Sequence, residues 1–258
     1  MKQLEIDQFP CLEDNYGYLL HDPETGATAT IDTPDVDAIM QRLAAKGWSL
    51  THIFNTHHHW DHAGGNLELK QKTGCEIIGP ACESDKIPGL DRAVDQDDMV
   101  AFGDHYLEII NVGGHTLGHI AYFLRTQKTA FVGDALFAMG CGRLFEGTPG
   151  QMWASLSRLN RLPAETIIYC AHEYTLANAT FALSLDPDNP ALIDRVAQVQ
   201  ALREKNQPTV PTTLSLERAT NPFLRVDDPA IRNLLGLQKA SQVDVFAEIR
   251  QRKDSFKG

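Results

Sequence analysis

The chain has 258 residues, of which 43% are hydrophobic and 22% charged. This composition is typical of a soluble globular protein, and the length suits one large domain with a smaller appendage. The 23 basic and 34 acidic residues give a net charge of −11, which argues against broad binding to nucleic acid or anionic lipid. The acidity is uneven, because residues 1–173 carry 12 basic and 24 acidic side chains whereas residues 174–258 carry 11 and 10. We therefore expect two domains, with the boundary after residue 173.

The chain carries five cysteines, an odd number without a CxxC pair, at Cys11, Cys75, Cys82, Cys141 and Cys170. A disulfide framework is not expected from this pattern, and a reducing compartment is the simpler interpretation. The first 15 residues contain acids and a proline where a signal peptide needs an apolar stretch. No run approaches the ~18 apolar residues of a membrane span. We expect a cytoplasmic protein without a membrane anchor.

The first two thirds of the chain alternate between β-type and helical patterns. Period-two or apolar runs predict strands over residues 16–21, 27–32, 50–56, 75–79, 99–102, 106–112, 120–124, 129–132 and 166–170. Helical spacing covers residues 35–46, 67–72 and 151–162. Several strands are apolar almost throughout, which predicts a sheet covered by helices on both faces and hence an α/β fold.

After His172 the strand signal fades and helical spacing dominates. The predicted helices cover residues 176–185, 191–205 and 243–252, and proline-rich connections separate them. We therefore expect an α-helical domain over residues 174–258, following a mixed α/β domain over residues 1–173.

The most informative segment is THHHWDHAGGN, at residues 56–66. Four imidazoles and a carboxylate within six residues are costly to bury unless a cation compensates them. In an extended backbone His57, His59 and Asp61 share one parity, whereas His62 lies off that row. One loop can thereby supply two adjacent metal sites. The alternative is a solvent-exposed polar loop, which does not explain the ligands found further along the chain.

Three more candidate ligands, His115, Asp134 and His172, each follow an apolar run. Sites form at strand ends in α/β sheets, so the fold is expected to bring these residues to the loop. Taken singly, each has a structural alternative as a satisfied histidine or a capping aspartate. Taken together, the ligands suit two ions. The first site would use His57, His59 and His115, the second Asp61, His62 and His172, with Asp134 as a bridge.

Imidazole and carboxylate ligands together suit zinc, and they also suit iron or manganese. No cysteine is needed, and open positions remain for water, which is typical of a catalytic site. We therefore expect two divalent ions in each chain, with zinc as the first expectation.

These residues resemble the metallo-β-lactamase superfamily, whose motif is HxHxDH followed by separated His, Asp and His. Within it, the chain resembles the glyoxalase II (hydroxyacylglutathione hydrolase) family nearly end to end. The likeness rests on THHHWDHAGGN, on GHTLGH at 114–119, GD at 133–134, GCGRLFEGT at 140–148, CAHEYT at 170–175, NPFLR at 221–225 and RQRKD at 250–254.

The resemblance implies an αββα sandwich followed by a C-terminal α-helical domain. It implies a monomeric thioester hydrolase that cleaves S-(2-hydroxyacyl)glutathione, typically S-D-lactoylglutathione, to glutathione and a 2-hydroxy acid. This reaction is the second step of methylglyoxal detoxification. By the same resemblance glutathione would contact Arg143, Tyr174, Arg250 and Lys253. Arg250 and Lys253 share one face of a predicted helix, although a basic helix end also suits the helix dipole.

The expected mechanism has a hydroxide shared by the two ions attacking the thioester carbonyl, after which the thiolate leaves readily because free thiols ionise near pH ~8.5. Asp61 and Asp134 are ligands first, and the sequence leaves open which of them transfers a proton. Ala135 stands where many members of the family have threonine, and Arg143 and Phe145 stand where some have lysine and tyrosine. These departures concern substrate contacts and change none of the expected metal ligands.

Four other functions are compatible with parts of the pattern. A β-lactamase or lactonase of the same superfamily has no use for a conjugate-binding tail, and a nuclease would need a basic patch. A persulfide dioxygenase with one iron would leave Asp61 and His62 idle. A non-catalytic metal-binding protein would be favoured by the loss of a ligand, whereas all seven are present.

Overall fold

A computed structural model describes residues 2–257. The chain forms two compact units. The first unit runs from the N-terminus to Asn111 and also includes Thr116–Gly133, and the second comprises Val112–His115 and the chain from Asp134 onwards. The expected domain boundary after residue 173 stays a prediction.

The first unit contains a six-stranded sheet in chain order. Its strands are β1 (Glu5–Cys11), β2 (Asn15–His21), β3 (Thr28–Ile31), β4 (His52–Phe54), β5 (Glu76–Pro80) and β6 (Arg92–Val94). The first three strands are antiparallel, and the remaining three join them in parallel. Strand β1 was not expected, because acids and Pro10 interrupt its pattern. An edge strand tolerates a proline, since one side of it needs no ladder.

Helices α1 (Val36–Lys46), α2 (Trp60–Ala63) and α3 (Asn66–Thr73) complete this part of the unit. The Asp35 carboxylate accepts from the Ala38 N–H at 3.0 Å and caps α1, which ends where Gly47 adopts φ 67°. The buried face of α1 carries Ile39 and Leu43, which join the apolar cluster of the sheet around Ile53. The prediction of this helix is confirmed to within one residue.

The first unit also contains four antiparallel strands of a second sheet, namely β7 (Met99–Phe102), β8 (His105–Asn111), β9 (Ile120–Leu124) and β10 (Thr129–Gly133). Strands β9 and β10 are buried throughout, as their apolar sequences predict. The Tyr122 ring of β9 lies 5.3 Å from the Phe54 ring of β4. Its hydroxyl donates to the Asn55 carbonyl at 2.8 Å. The two sheets therefore face each other across this core.

The second unit is mainly helical. Its elements are β11 (Leu136–Phe137), β12 (Gly140–Cys141), α4 (Pro149–Leu159), β13 (Ile167–Cys170), α5 (Thr175–Leu185), α6 (Pro190–Arg203), β14 (Thr212–Thr213), α7 (Leu214–Thr220), α8 (Pro229–Leu235) and α9 (Gln242–Ser255). The three helices expected after His172 are confirmed as α5, α6 and α9. Helices α7 and α8 are seven residues each, too short for a clear periodic signal.

Helix α4 is shifted towards the N-terminus relative to the expected 151–162. It begins early because Thr148 and Gln151 form a capping box and Pro149 fits the first turn. Its end lies before residue 162 because the N–H groups of Arg161 and Leu162 donate to carbonyls three residues earlier, as in a tighter 3-10 turn. The Arg218 guanidinium donates to the Asn160 carbonyl and, at 2.9 Å, to the Leu162 carbonyl.

Helices α5 and α6 pack through small and branched side chains, and the buried cluster contains Met139, Ala179, Ala182, Leu192, Val196 and Val199. Phe223 packs against Phe181 of α5 and Phe246 of α9, which links these helices. All five cysteines are free. Between residues 2 and 257, no helix has both the length and the apolar character needed to cross a membrane.

Candidate metal centre and ligand cavity

The histidine loop, residues 56–62, follows β4 in the first unit. From residue 55 to 59 the backbone is neither helix nor strand, so its amides need partners outside a regular ladder. Asp32, which adopts φ 58°, supplies one such partner. Its buried carboxylate accepts from the Thr56 N–H at 2.7 Å and from the Thr56 hydroxyl at 2.8 Å. The start of the loop is thereby fixed.

The loop brings its imidazoles together. His57 Nε2 lies 3.0 Å from His59 Nδ1, and the ring centres of His57 and His62 are 4.1 Å apart. His62 Nε2 lies 3.3 Å from an Asp61 carboxylate oxygen, which accepts from the Asn15 amide at 3.0 Å. His57 and His62 are fully buried. The structure therefore places all four predicted ligands of this loop in one cluster.

The opposite nitrogens of the two buried imidazoles have partners of their own. His62 Nδ1 donates to the Asp32 carboxylate at 2.8 Å, and His57 Nδ1 lies 3.0 Å from the Thr56 hydroxyl. A carboxylate on Nδ1 fixes the tautomer and leaves Nε2 as the ligand atom. The His119 ring stacks on His57, with centres 4.5 Å apart and planes 16° apart. These contacts orient the rings as metal ligands require.

A second cluster lies within the second unit and centres on Asp134. One carboxylate oxygen is 3.3 Å from His115 Nε2, and the other is 3.3 Å from His172 Nε2. His115 Nδ1 donates to the Arg143 carbonyl at 2.8 Å. The His172 ring stacks on Tyr174 with centres 4.7 Å apart. Asp134 thus presents one oxygen to each imidazole, the geometry that a bridging carboxylate needs.

Both clusters have the chemistry of a divalent metal site. Each combines imidazole nitrogens with carboxylate oxygens at about 3 Å, inside a buried setting where such groups need compensation. Zinc, iron and manganese accept this donor set. The residues present therefore fit the divalent ions expected from the sequence.

A cavity of about 340 Å³ opens within the second unit. Its lining residues are His115, Asp134, Phe137, Cys141, Arg143, Phe145, Tyr174, Ala177, Asn178, Arg250 and Lys253. All four residues expected to contact glutathione belong to this lining. The cavity combines two ligand-type side chains with three cations and several aromatic rings, so it suits an anionic organic molecule.

The two arginines of the cavity share one carboxylate. Arg250 is buried and donates to Asp254 at 2.8 Å and to the Cys141 carbonyl at 2.9 Å. Arg143 lies 3.6 Å from the same Asp254 oxygen, and its side chain is 60% exposed. Arg250 is therefore held firmly in the wall, while the more exposed Arg143 is held by a longer contact.

Lys253 lies on the same helix as Arg250, one turn further on. Its ammonium donates to the Ala177 carbonyl at 3.0 Å and lies over the Phe181 ring. Burial, and after it the Arg250 charge, lower the pKa of Lys253 to about 8, although Asp254 acts in the opposite direction. The side chain is therefore a cation at neutral pH that loses its charge in mildly basic solution.

Cys141 is the one thiol in the cavity lining. Burial raises its pKa to about 11, although Arg250 acts in the opposite direction. A thiolate is the nucleophilic form of cysteine, so this side chain is a poor nucleophile near neutral pH. Covalent catalysis by Cys141 is therefore disfavoured.

Sequence reasoning missed the groups that hold the ligands in place. Asp32 ends a predicted strand, which is the same signal that singled out the other strand-end ligands. His119 lies in the GHTLGH motif but had no assigned role. Asp254 belongs to the RQRKD motif, where only the cations were given a role. The metal and substrate roles of the predicted residues themselves stay predictions.

Two family models match the chain. One, for the metallo-beta-lactamase superfamily, matches residues 25–172. The other, described as the hydroxyacylglutathione hydrolase C-terminus, matches residues 173–256. The expected fold class is therefore confirmed.

Relatives match the chain over nearly its whole length. A hydroxyacylglutathione hydrolase of Maricaulis maris is 56% identical over 99% of this chain and all of its own. One of Rhizobium etli is 54% identical, and one of Methylococcus capsulatus 53%, each with the same coverage of both chains.

Solved structures resemble the fold at lower identity. The crystal structure of ETHE1 from Myxococcus xanthus has a TM-score of 0.67 and 23% identity, and the match covers 96% of this chain and 97% of that one. The structure of TTHA1623 in a di-iron-bound form has a TM-score of 0.63 and 23% identity, with 85% and 100% covered. At this identity the likeness concerns the fold alone. The family models and the relatives go further: the chain belongs to the hydroxyacylglutathione hydrolase family of the metallo-beta-lactamase superfamily.

Proposed function

We propose that this chain is a glyoxalase II, which hydrolyses S-(2-hydroxyacyl)glutathione to glutathione and a 2-hydroxy acid. The observation that carries the proposal is the 53–56% identity to hydroxyacylglutathione hydrolases over nearly the whole chain. S-D-lactoylglutathione is the expected substrate and D-lactate the product. The reaction is the second step of methylglyoxal detoxification.

The cavity of the second unit supports a glutathione conjugate as the ligand. Glutathione carries carboxylates, and a protein with a net charge of −11 must place local cations to hold them. Arg143, Arg250 and Lys253 line this cavity together with Tyr174. We assign these four residues to glutathione binding. The planar guanidinium of Arg143 suits a carboxylate, and Lys253 acts as a point charge.

We further propose that the chain binds two divalent ions. The ligands would be His57, His59, Asp61, His62, His115, Asp134 and His172, all within the stretch that matches the superfamily model. Zinc is our first assignment, and iron and manganese are alternatives because the same donors accept them. When bound, such ions lower the pKa of water and polarise a carbonyl oxygen.

The residues of the chain set up the rest of the reaction. Asp134 directs its two oxygens to different imidazoles, so it can act as the bridge. We also assign Asp61 and Asp134 as the carboxylates of which either could accept a proton during hydrolysis. The cations of the cavity hold the glutathione part, which fixes the thioester in position. Departure of the thiolate needs little help, because free thiols ionise near pH ~8.5.

The remaining expectations concern the setting of the enzyme. We propose a cytoplasmic monomer that acts on a small molecule, with neither nucleic acid nor membrane as a partner. We also propose that residues 1–173 form the catalytic domain and residues 174–258 the substrate-binding domain. Light scattering of the purified protein gives the oligomeric state directly.

The test is steady-state hydrolysis of several glutathione thioesters, with metal content measured on the same protein sample. We expect turnover of S-D-lactoylglutathione, seen as loss of thioester absorbance, together with about two ions per chain. A β-lactam and a lactone serve as competing substrates. Absence of thioester turnover by protein that holds two ions would overturn the proposed function. Full turnover with one ion would overturn the dinuclear assignment only.

A further inference from the structure

Glu83 is a buried carboxylate that the proposed mechanism does not use. It lies in the 3-10 turn Ala81–Lys86 of the first unit and is only 2% exposed. Its neighbours in that turn, Cys82, Ser84 and Asp85, are all exposed. A carboxylate at such a position is costly unless hydrogen-bond donors satisfy both of its oxygens. The turn therefore directs one acidic side chain inward, and the hydrogen bonds of that side chain must offset the free energy that its burial costs.

Both oxygens of Glu83 accept hydrogen bonds, and the donors come from two separate loops. Oε2 accepts from the His58 backbone N–H at 2.9 Å and from His58 Nδ1 at 2.7 Å. Oε1 accepts from the Gly118 backbone N–H at 2.8 Å. The side chain thus ties the histidine loop to the loop that precedes β9.

Buried carboxylates fix the residues on both sides of His57. The preceding residue, Thr56, is fixed through its N–H by Asp32, and the following residue, His58, is fixed through its N–H by Glu83. Gly118 precedes His119, whose ring stacks on His57. The backbone on both sides of this imidazole and the ring that covers it are therefore held, directly or through one neighbour, by buried carboxylates.

The packing around Glu83 leaves little room for another arrangement. A Cβ at Gly118 would lie 2.7 Å from Glu83 Cγ and 2.7 Å from Cys82 Cβ. The close approach of this backbone to the turn brings the Gly118 N–H within reach of the carboxylate. The contact between Glu83 and the Gly118 N–H therefore depends on glycine at position 118.

We propose that Glu83 is a positioning residue for metal binding: it holds the histidine loop in its ligand-binding conformation by clamping His58 and Gly118. The proposal rests on the metal binding proposed above. It predicts that the loop keeps its shape when no ion is present, since the clamp consists of protein atoms only. Outer groups of this kind change metal affinity by about 10- to 100-fold when they are removed.

The test uses the full chain with Glu83→Gln, which keeps the size of the side chain but replaces one acceptor oxygen with a donor. An amide group then faces an N–H of His58 or Gly118, so one half of the clamp is lost. Zinc-loaded protein is equilibrated against a chromogenic chelator. We expect the apparent zinc dissociation constant to rise by about 10- to 100-fold. In metal-free protein, hydrogen exchange of peptides covering residues 57–62 and 116–119 should become faster, while exchange of β2 stays unchanged.

Asp85→Asn is the matched control, because it makes the same chemical change at an exposed position of the same turn. It should leave zinc affinity and hydrogen exchange unchanged. Glu83→Asp, which keeps the charge and shortens the reach, provides the measurement if Glu83→Gln does not fold. Wild-type zinc affinity in the folded Glu83 variants would overturn the proposal. The zinc assay uses no thioester, so its result is independent of turnover. A protein that binds zinc but hydrolyses no thioester would refute the proposed function and leave this inference standing.

Discussion

The histidine loop and the cavity of the second unit hold their functional groups in different ways. In the loop, four ligands come from six consecutive residues, and buried carboxylates fix the backbone on both sides of the first ligand, His57. In the second unit, His115, Asp134 and His172 come from distant parts of the chain, and the cavity combines Arg143 with two cations of the C-terminal helix. A local motif can therefore be recognised by its spacing, whereas the second arrangement depends on the fold.

The largest expected effect is that of Asp134→Ala in the second unit. The change removes the carboxylate that faces both His115 and His172. Since metal ions contribute several kcal/mol to transition-state stabilisation, kcat/KM for S-D-lactoylglutathione should fall by about 10³-fold, with fewer than two ions retained. Turnover and metal content measured on one sample check this. Asp188→Ala, at an exposed position of the same unit, is the control, and near-normal turnover with two ions in Asp134→Ala would contradict the bridging role.

The next effect tests how rigidly the first unit supports its loop. Gly133 has φ 49°, and a Cβ there would lie 2.7 Å from the His119 ring and from the Thr56 hydroxyl. Gly133→Ala should therefore lower the free energy of unfolding by about 3 kcal/mol, through left-handed strain and overpacking together. Gly26→Ala, at φ 78° with open space around it, should lower the free energy of unfolding through backbone strain alone, by about 1 kcal/mol. Equal losses in urea denaturation would show that the contact with His119 and Thr56 carries no cost.

A smaller effect is expected from Lys253→Met, which keeps the bulk of the side chain and removes the charge from the cavity. The KM for S-D-lactoylglutathione should rise about tenfold while kcat changes by less than about twofold, since a charged hydrogen bond contributes roughly 1.5–3 kcal/mol. Lys257→Met, four residues further on and exposed, is the matched control. A fall in kcat without a change in KM would place Lys253 outside the binding of the substrate.

The smallest effect is the pH dependence of binding. The pKa of Lys253 is lowered to about 8, so the ammonium is charged below that pH and neutral above it. Its attraction for a substrate carboxylate is therefore present below pH 8 and lost as the pH rises through 8. The KM of the wild-type enzyme should increase between pH 7 and 9 by up to the factor found for Lys253→Met. The variant should show no such increase, and an identical profile in both proteins would contradict the assignment.

Much of the fold follows from local patterns. The helix at 36–46 and the strands at 120–124 and 129–133 are confirmed nearly to the residue, because caps, turns and apolar runs all agree there. Strand β1 was missed, since an edge strand can carry acids and a proline. The predicted bounds of helix α4 were displaced, because a capping box sets its start at Pro149 and the chain changes to three-residue hydrogen-bonded turns after Leu159.

In the site, as in the fold, local patterns indicated some residues and could not indicate others. The spacing of His57, His59, Asp61 and His62 indicates a metal cluster, and the first unit holds them together. The supporting role of Asp32 had a signal, its place at the end of a predicted strand, which was not used. The supporting roles of Glu83 and His119 could not be predicted, because each depends on which loops become neighbours. The sequence alone does not distinguish a buried carboxylate from an exposed one, as buried Glu83 and exposed Asp85 of the same turn illustrate.

Asp254 has a consequence for which ligands the cavity accepts. Because the Asp254 carboxylate lies 2.8 Å from Arg250, this guanidinium is ordered before any ligand arrives, and less conformational freedom is lost on binding. The same negative charge repels a lone small anion that approaches this cation.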